Sequence, residues 1–155
     1  MSDRYMSEIN YRIAQLDDVE TVFNFAAAKL KDDSLDEIEN QIKIWNSDFR
    51  KESLEHYFKL GWSFLAFDEQ KKLVGFFMGQ PLLFLDKNTQ TLWVEFVLAD
   101  NDSIYTELVD IAYRLSREKH FQRVLFSTAV TEKKLTKSLP FQNWDRSIVY
   151  LKTTK

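Results

Sequence analysis

The sequence predicts an α/β domain with a mixed, mostly antiparallel sheet and helices on both faces. Three observations lead there. Apolar residues recur at helical spacing through the first third of the chain and switch to strand spacing at Trp62. Two polar turns, Asp68–Lys72 and Asp86–Asn88, then divide the strand-like region into a three-stranded antiparallel meander. Finally, the run from Thr91 to Lys119 reads as a strand followed by an amphipathic helix, and Phe121 to Ala129 returns as a parallel strand through a right-handed crossover.

In chain order, Ile9 to Ala14 alternates apolar and polar residues and is the first expected strand. Asp17-Asp18-Val19-Glu20 places a carboxylate where it can cap a helix, with an acid three residues after the first aspartate. Val19, Val22, Phe23, Ala26 and Leu30 then mark the inner face of a helix ending near Lys31, with Phe23 and Phe25 assigned to the core. Ser34-Leu35-Asp36-Glu37 is a second capping signature, followed by Leu35, Ile38, Ile42 and Trp45 as the expected apolar face. Leu54, Tyr57, Phe58 and Leu60 mark a third helical stretch that Gly61 is placed to end. His56, on that stretch, is expected at or near the surface.

Trp62–Phe67 and Leu73–Leu85 should pair as a hairpin, with Pro81 forcing a bulge, a bend or an edge because it has no N–H to donate. Thr91–Ala99 is apolar on both alternating faces, with Leu92, Val94, Phe96 and Leu98 on one and Trp93, Val97 and Ala99 on the other. Such a strand belongs in the middle of a covered sheet. Glu95 is its one ionisable residue. A carboxylate desolvated there would suit a general acid or base, while pairing with a cation or opening to solvent would make it structural. The following helix carries Ile104, Leu108, Ile111 and Leu115 inward, and His120 is a turn residue at its end. Thr131–Leu139 reads as a short basic helix stopped by Pro140, and Trp144 starts a final pair of strands ending in Ile148–Thr153. No repeat or linker interrupts the chain, so residues 1–155 are expected to form one domain.

Composition narrows the chemistry. With 155 residues and 45% hydrophobic content the chain can bury a core. Three glycines exclude a glycine-rich phosphate loop, the absence of cysteine excludes thiolate chemistry, and two histidines make a histidine metal site improbable, so no metal is expected. The net charge of −3 divides unevenly: residues 1–60 and 61–113 each carry −5, and residues 114–155 carry +7. The basic end fits either a phosphorylated ligand or an acidic partner, or a set of solvated faces. Nucleic acid is not an expected partner, because no basic stripe is interleaved with aromatics. No apolar run is long enough to cross a bilayer, so no membrane is expected and the cytoplasm is the expected compartment. Pro81 with Leu82–Leu85 is a candidate surface for a second copy of the chain or another partner.

The order of these elements, together with YRIAQLDDVETV, WSFLAFDEQKKLVGFFMG, TLWVEFVLAD, IYTELVDIAYRLSREKHFQRVLFST and LTKSLPFQNW, resembles the GCN5-related N-acetyltransferase (GNAT) family over nearly the whole chain. The resemblance implies a sheet splayed between its fourth and fifth strands, with acetyl-CoA or another acyl thioester inserted in the split. It also implies backbone contacts from Phe96, Val97, Leu98, Ser103 and Ile104 to that thioester, and Glu95 as the candidate base. The chain departs from the family where the pyrophosphate would sit: Leu98-Ala99-Asp100-Asn101-Asp102-Ser103 has no glycine and no basic residue. The position of the family's thiolate-protonating tyrosine falls near Thr136, and Pro140 precedes Phe141 where glycine is usual. Two functions are therefore expected. A non-catalytic binding or regulatory module with a degenerate acetyl-CoA site stands first. The alternative is an active N-acyltransferase that takes its acyl group from acyl-CoA or an acyl carrier protein. The partner is an unidentified small amine or protein.

Overall fold

The computed structural model describes residues 8–127, 130, 139–144 and 149–153. Strand β1 (Asn10–Ile13) runs into a 3-10 turn, Leu16–Asp18, that opens helix α1 (Val19–Leu30). The carboxylate that organises this start is Asp18. It accepts from the Gln15 amide at 2.8 Å and takes both terminal nitrogens of Arg12 at 2.9 and 2.8 Å. Helix α2 (Glu37–Trp45) begins at Asp36, whose side chain accepts from the Glu39 amide at 2.8 Å. Helix α3 (Lys51–Lys59) ends at Gly61, whose φ of +77° is a conformation that side chains resist.

The sheet contains β1, β2 (Phe64–Phe67), β3 (Leu73–Leu83), β4 (Gln90–Ala99) and β5 (Arg123–Phe126), in that spatial order. β1 through β4 are antiparallel neighbours, and β5 lies parallel to β4, reached through helix α4 (Asp102–Glu118). Helices α1 and α3 cover one face, where Val22, Ala26, Leu54 and Phe58 meet Phe76 and Met78. Helix α4 covers the other, where Ile104, Leu108 and Ala112 meet Val74, Phe77 and Leu92. Phe76 and Phe77 are consecutive and both fully buried, one in each layer. Burying each contributes roughly 1.5–3 kcal/mol. His120, at φ +63°, ends the run out of α4 as a turn residue.

Two expectations change. The first concerns β4. Its register with β3 runs from Gly75↔Ala99 to Met78↔Phe96 and resumes at Gly79↔Val94, so Glu95 is left without a cross-strand partner. That extra residue is a bulge, and it breaks the alternation expected along the strand. Leu92 and Val94 face α4, but beyond the bulge it is Val97 and Ala99 that do so. Trp93, Phe96 and Leu98 share the α1 and α3 face. On the facing strand, the Gly79 amide donates to Ser63 Oγ at 2.9 Å, and a Cβ on Gly79 would stand 2.7 Å from the Trp62 carbonyl oxygen. Pro81 pairs with Leu92 two residues further on, past the point where β2 stops, so its missing N–H lies at an open edge.

The second change is the orientation of α2. Ile38, Ile42 and Trp45 are 72%, 46% and 66% exposed, so the apolar stripe is not the buried face. Hydrogen bonds hold the helix instead. Asn40 bonds both the amide and the carbonyl of Asp32, at 2.9 and 3.1 Å, and Lys43 Nζ donates to the Leu30 carbonyl at 3.2 Å. Ile44 is the apolar residue of α2 that reaches the core.

The expected helix over Thr131–Leu139, with Thr136, lies outside the described residues except for Leu139. Of the expected closing strands, 145–148 lie outside them, and Trp144 and 149–153 belong to no regular element. Among the described residues no helix is long and apolar enough to cross a membrane.

Candidate active site

The bulge at Glu95 divides β4 into two parts with different neighbours. From Thr91 to Val94 the strand pairs with β5, Thr91↔Arg123 through Val94↔Phe126. From Glu95 to Ala99 it has no partner on that side among the described residues, although β3 continues to pair on the other. Among the described residues the pairing between the fourth and fifth strands thus ends at Val94, just before Glu95. An unpaired strand edge presents N–H and C=O groups that an extended ligand can satisfy.

Glu95 is half-buried, and its Oε2 accepts from the Trp93 indole N–H at 2.6 Å. That hydrogen bond holds the carboxylate in one orientation. It lines a cavity of about 410 Å³ that Trp45, Ser47, Asp48 and Arg50 close from the end of α2 and the loop after it. Ser53 and Tyr57 of α3 complete the wall. Tyr57 is 7% exposed, and its hydroxyl accepts from Gln80 Nε2 at 3.3 Å. Burial, and then the Glu95 charge, raise the Tyr57 pKa above the usual phenol range. His56 closes the outer end of this network through Gln80 Oε1 at 3.0 Å. A second cavity, about 740 Å³, lies beside β5 and the 139–144 segment. Among the described residues its lining includes Arg123 and no carboxylate.

The turn into α4 carries two aspartates, Asp100 and Asp102, where a diphosphate would meet like charge. Asp100 pairs with Lys29 of α1 at 2.5 Å, and its amide donates to the Val74 carbonyl at 2.8 Å. One of the two aspartates is therefore neutralised from within the chain. Asn101 caps the helix by accepting from the Ile104 amide at 2.9 Å, so that amide already has a partner. Ser103 is exposed in the first turn, while Ile104 is 5% exposed and packs inward. Phe96 and Leu98 are committed to the α1 and α3 layer and Val97 to the α4 layer, so these three offer a ligand their backbone only.

Among the site residues, Glu95 is legible from the sequence as the lone charge in an apolar strand. Trp93 carries a weaker signal, an indole two residues away on the face first expected for Glu95. Tyr57, Trp45 and Asp48 carry none, since the first two look like core residues and the third like a loop acid. Among the described residues, no group of three or more His, Cys, Asp or Glu could hold a metal ion.

No family model matches the sequence, and no curated protein matches it. Solved structures do. A GCN5-related N-acetyltransferase from Ralstonia eutropha JMP134 superposes with a TM-score of 0.65 at 12% identity, over 93% of this chain and 99% of that one. Aminoglycoside N-acetyltransferase AAC(6')-Iy, solved in complex with CoA, gives a TM-score of 0.64 at 15% identity, over 96% and 97% of the two chains. A predicted acetyltransferase from Clostridium acetobutylicum, solved with acetyl-CoA, gives 0.64 at 15% identity, over 93% and 96%. With the strand order and the two helical layers, these likenesses establish that the chain has the GNAT fold.

Proposed function

We propose that this protein is an N-acyltransferase that moves an acyl group from a thioester to an amine, with Glu95 as the base. One observation carries the proposal: the Glu95 carboxylate lines a polar cavity at the point where, among the described residues, the pairing of β4 with β5 ends. The β4 edge beyond that point suits the amide-bearing arm of an acyl thioester such as acetyl-CoA, and the cavity on the other side suits the amine. Glu95 would take the proton that the amine must lose before attack.

From sequence alone a non-catalytic binding or regulatory module stands first. One observation still favours it: Asn101 occupies an amide at the helix end, and Asp102 follows it with no glycine to bring backbone close to a diphosphate. Thiol release from acetyl-CoA and from acetylpantetheine, measured over a panel of primary amines, separates the two. The expected result is amine-dependent release from both donors, lost in Glu95→Gln. Acetylpantetheine lacks the nucleotide diphosphate, so similar activity with both would show that the acidic turn contributes little to donor binding. If neither donor releases thiol with any amine, and neither raises the melting temperature, the binding-module reading stands instead.

A further inference from the structure

The cavity beside Glu95 is charged unequally. Among the described residues two carboxylates line it, Glu95 and Asp48, and the one cation there, Arg50, is paired with Glu52 at 3.0 Å. Both carboxylates share this cavity with Tyr57. Ser47 Oγ donates to the Ile44 carbonyl at 2.6 Å, which leaves its lone pairs to accept. Trp45, a large apolar side chain that is 66% exposed, also lines the cavity. A solvated indole beside two carboxylates is suited to one chemistry, a cation with an aliphatic body.

We infer that the acceptor is a small dicationic amine, with one amino group held at Glu95, the other at Asp48, and Trp45 over the chain between them. An anionic acceptor would meet two like charges at close range, and a monocation would leave Asp48 without a partner. The chemistry rests on the acyltransferase reading, but the binding does not. In the transfer step the ammonium gives one proton to Glu95, and the freed amine forms a C–N bond to the carbonyl carbon of the acyl thioester. The C–S bond breaks, the second nitrogen proton ends on the departing thiolate, and Glu95 returns its proton to water. The product has lost the positive charge that faced Glu95, which weakens its hold and favours release.

The test is calorimetric titration of the full chain, without any thioester, using 1,4-diaminobutane and n-butylamine. The diamine is expected to bind roughly tenfold more tightly, the ratio falling as salt is added. Asp48→Asn should abolish that preference by weakening the diamine far more than n-butylamine. Trp45→Ala should weaken both ligands. Asp48 and Trp45 are exposed, so both variants should melt within a few degrees of the parent. Equal affinities in the parent protein, or a preference that survives Asp48→Asn, would overturn the proposal. Diamine preference without thiol release from any donor would keep the amine site and remove the acyltransferase reading. Thiol release without diamine preference would do the reverse.

Discussion

The Trp93 indole N–H meets the Glu95 carboxylate at 2.6 Å from two residues earlier on the same strand. Glu95→Gln should preserve that contact, because the amide oxygen still accepts. The variant is expected to melt within a few degrees of the parent while transfer falls by about 10²-fold or more, as expected for loss of a base. Trp93→Phe should lower kcat roughly tenfold with a smaller change in KM, since the carboxylate remains but is no longer held. Steady-state kinetics and a thermal melt on each variant check both outcomes.

Gly79 and Gly61 test two different costs. A Cβ at Gly79 would lie 2.7 Å from the Trp62 backbone oxygen, and backbone has little room to yield. Gly79→Ala should therefore destabilise by about 1–3 kcal/mol. Gly61 has nothing within 4 Å of such a Cβ, but its φ is +77°. Gly61→Ala should cost about 1 kcal/mol through backbone conformation alone. Urea unfolding of the two variants gives both values.

The Arg12–Asp18 pair gives a pH dependence of known sign. Hydrogen bonding to Arg12 comes first among the causes that hold Asp18 below the usual carboxylate range. A depressed native pKa means stabilisation that is present above the unfolded value of 3.8 and lost as pH falls through the native one. Arg12 is about half exposed, so solvent screens the pair and the contribution is small. Asp18→Asn is expected to cost ~0.5–1 kcal/mol at neutral pH, with the difference from the parent shrinking as the carboxylate protonates. Urea melts at neutral pH and near pH 3 supply the comparison.

Ile38 and Leu54 separate apparent from real core. Ile38 is 72% exposed and Leu54 is 0% exposed. Ile38→Glu should change stability by less than about 0.5 kcal/mol, whereas Leu54→Ala should cost about 2–5 kcal/mol. A large loss for Ile38→Glu in dilute solution would mean that something covers α2.

How far the sequence carries can be seen in β4 and α2. The strand, its central place and its lone carboxylate were legible because apolar residues on both faces permit few other positions. The bulge was not, since Gly79 announces it from the partner strand and its hydrogen bond to Ser63 Oγ is a tertiary event. The stripe Ile38, Ile42 and Trp45 has the spacing of a buried face, but Asn40 and Lys43 fix the helix the other way through partners that periodicity does not contain. The cavity was invisible for the same reason. Trp45 with Asp48, Tyr57, and Glu95 come from three separate stretches of the chain and meet only when α2 and α3 lie over β4.

The extra residue at Glu95 also shifts the phase of the strand. Leu92 and Val94 follow one phase of the strand period, and Val97 and Ala99 follow the opposite one. Deleting Glu95 would merge the two phases: Leu92, Val94, Val97 and Ala99 would stay toward α4, and Trp93, Phe96 and Leu98 toward α1 and α3, in one unbroken alternation. The extra residue is therefore one the core does not count, and the strand can carry a carboxylate there without turning any packed side chain away from its layer. A chain lacking Glu95 should keep its fold and lose the carboxylate from the cavity.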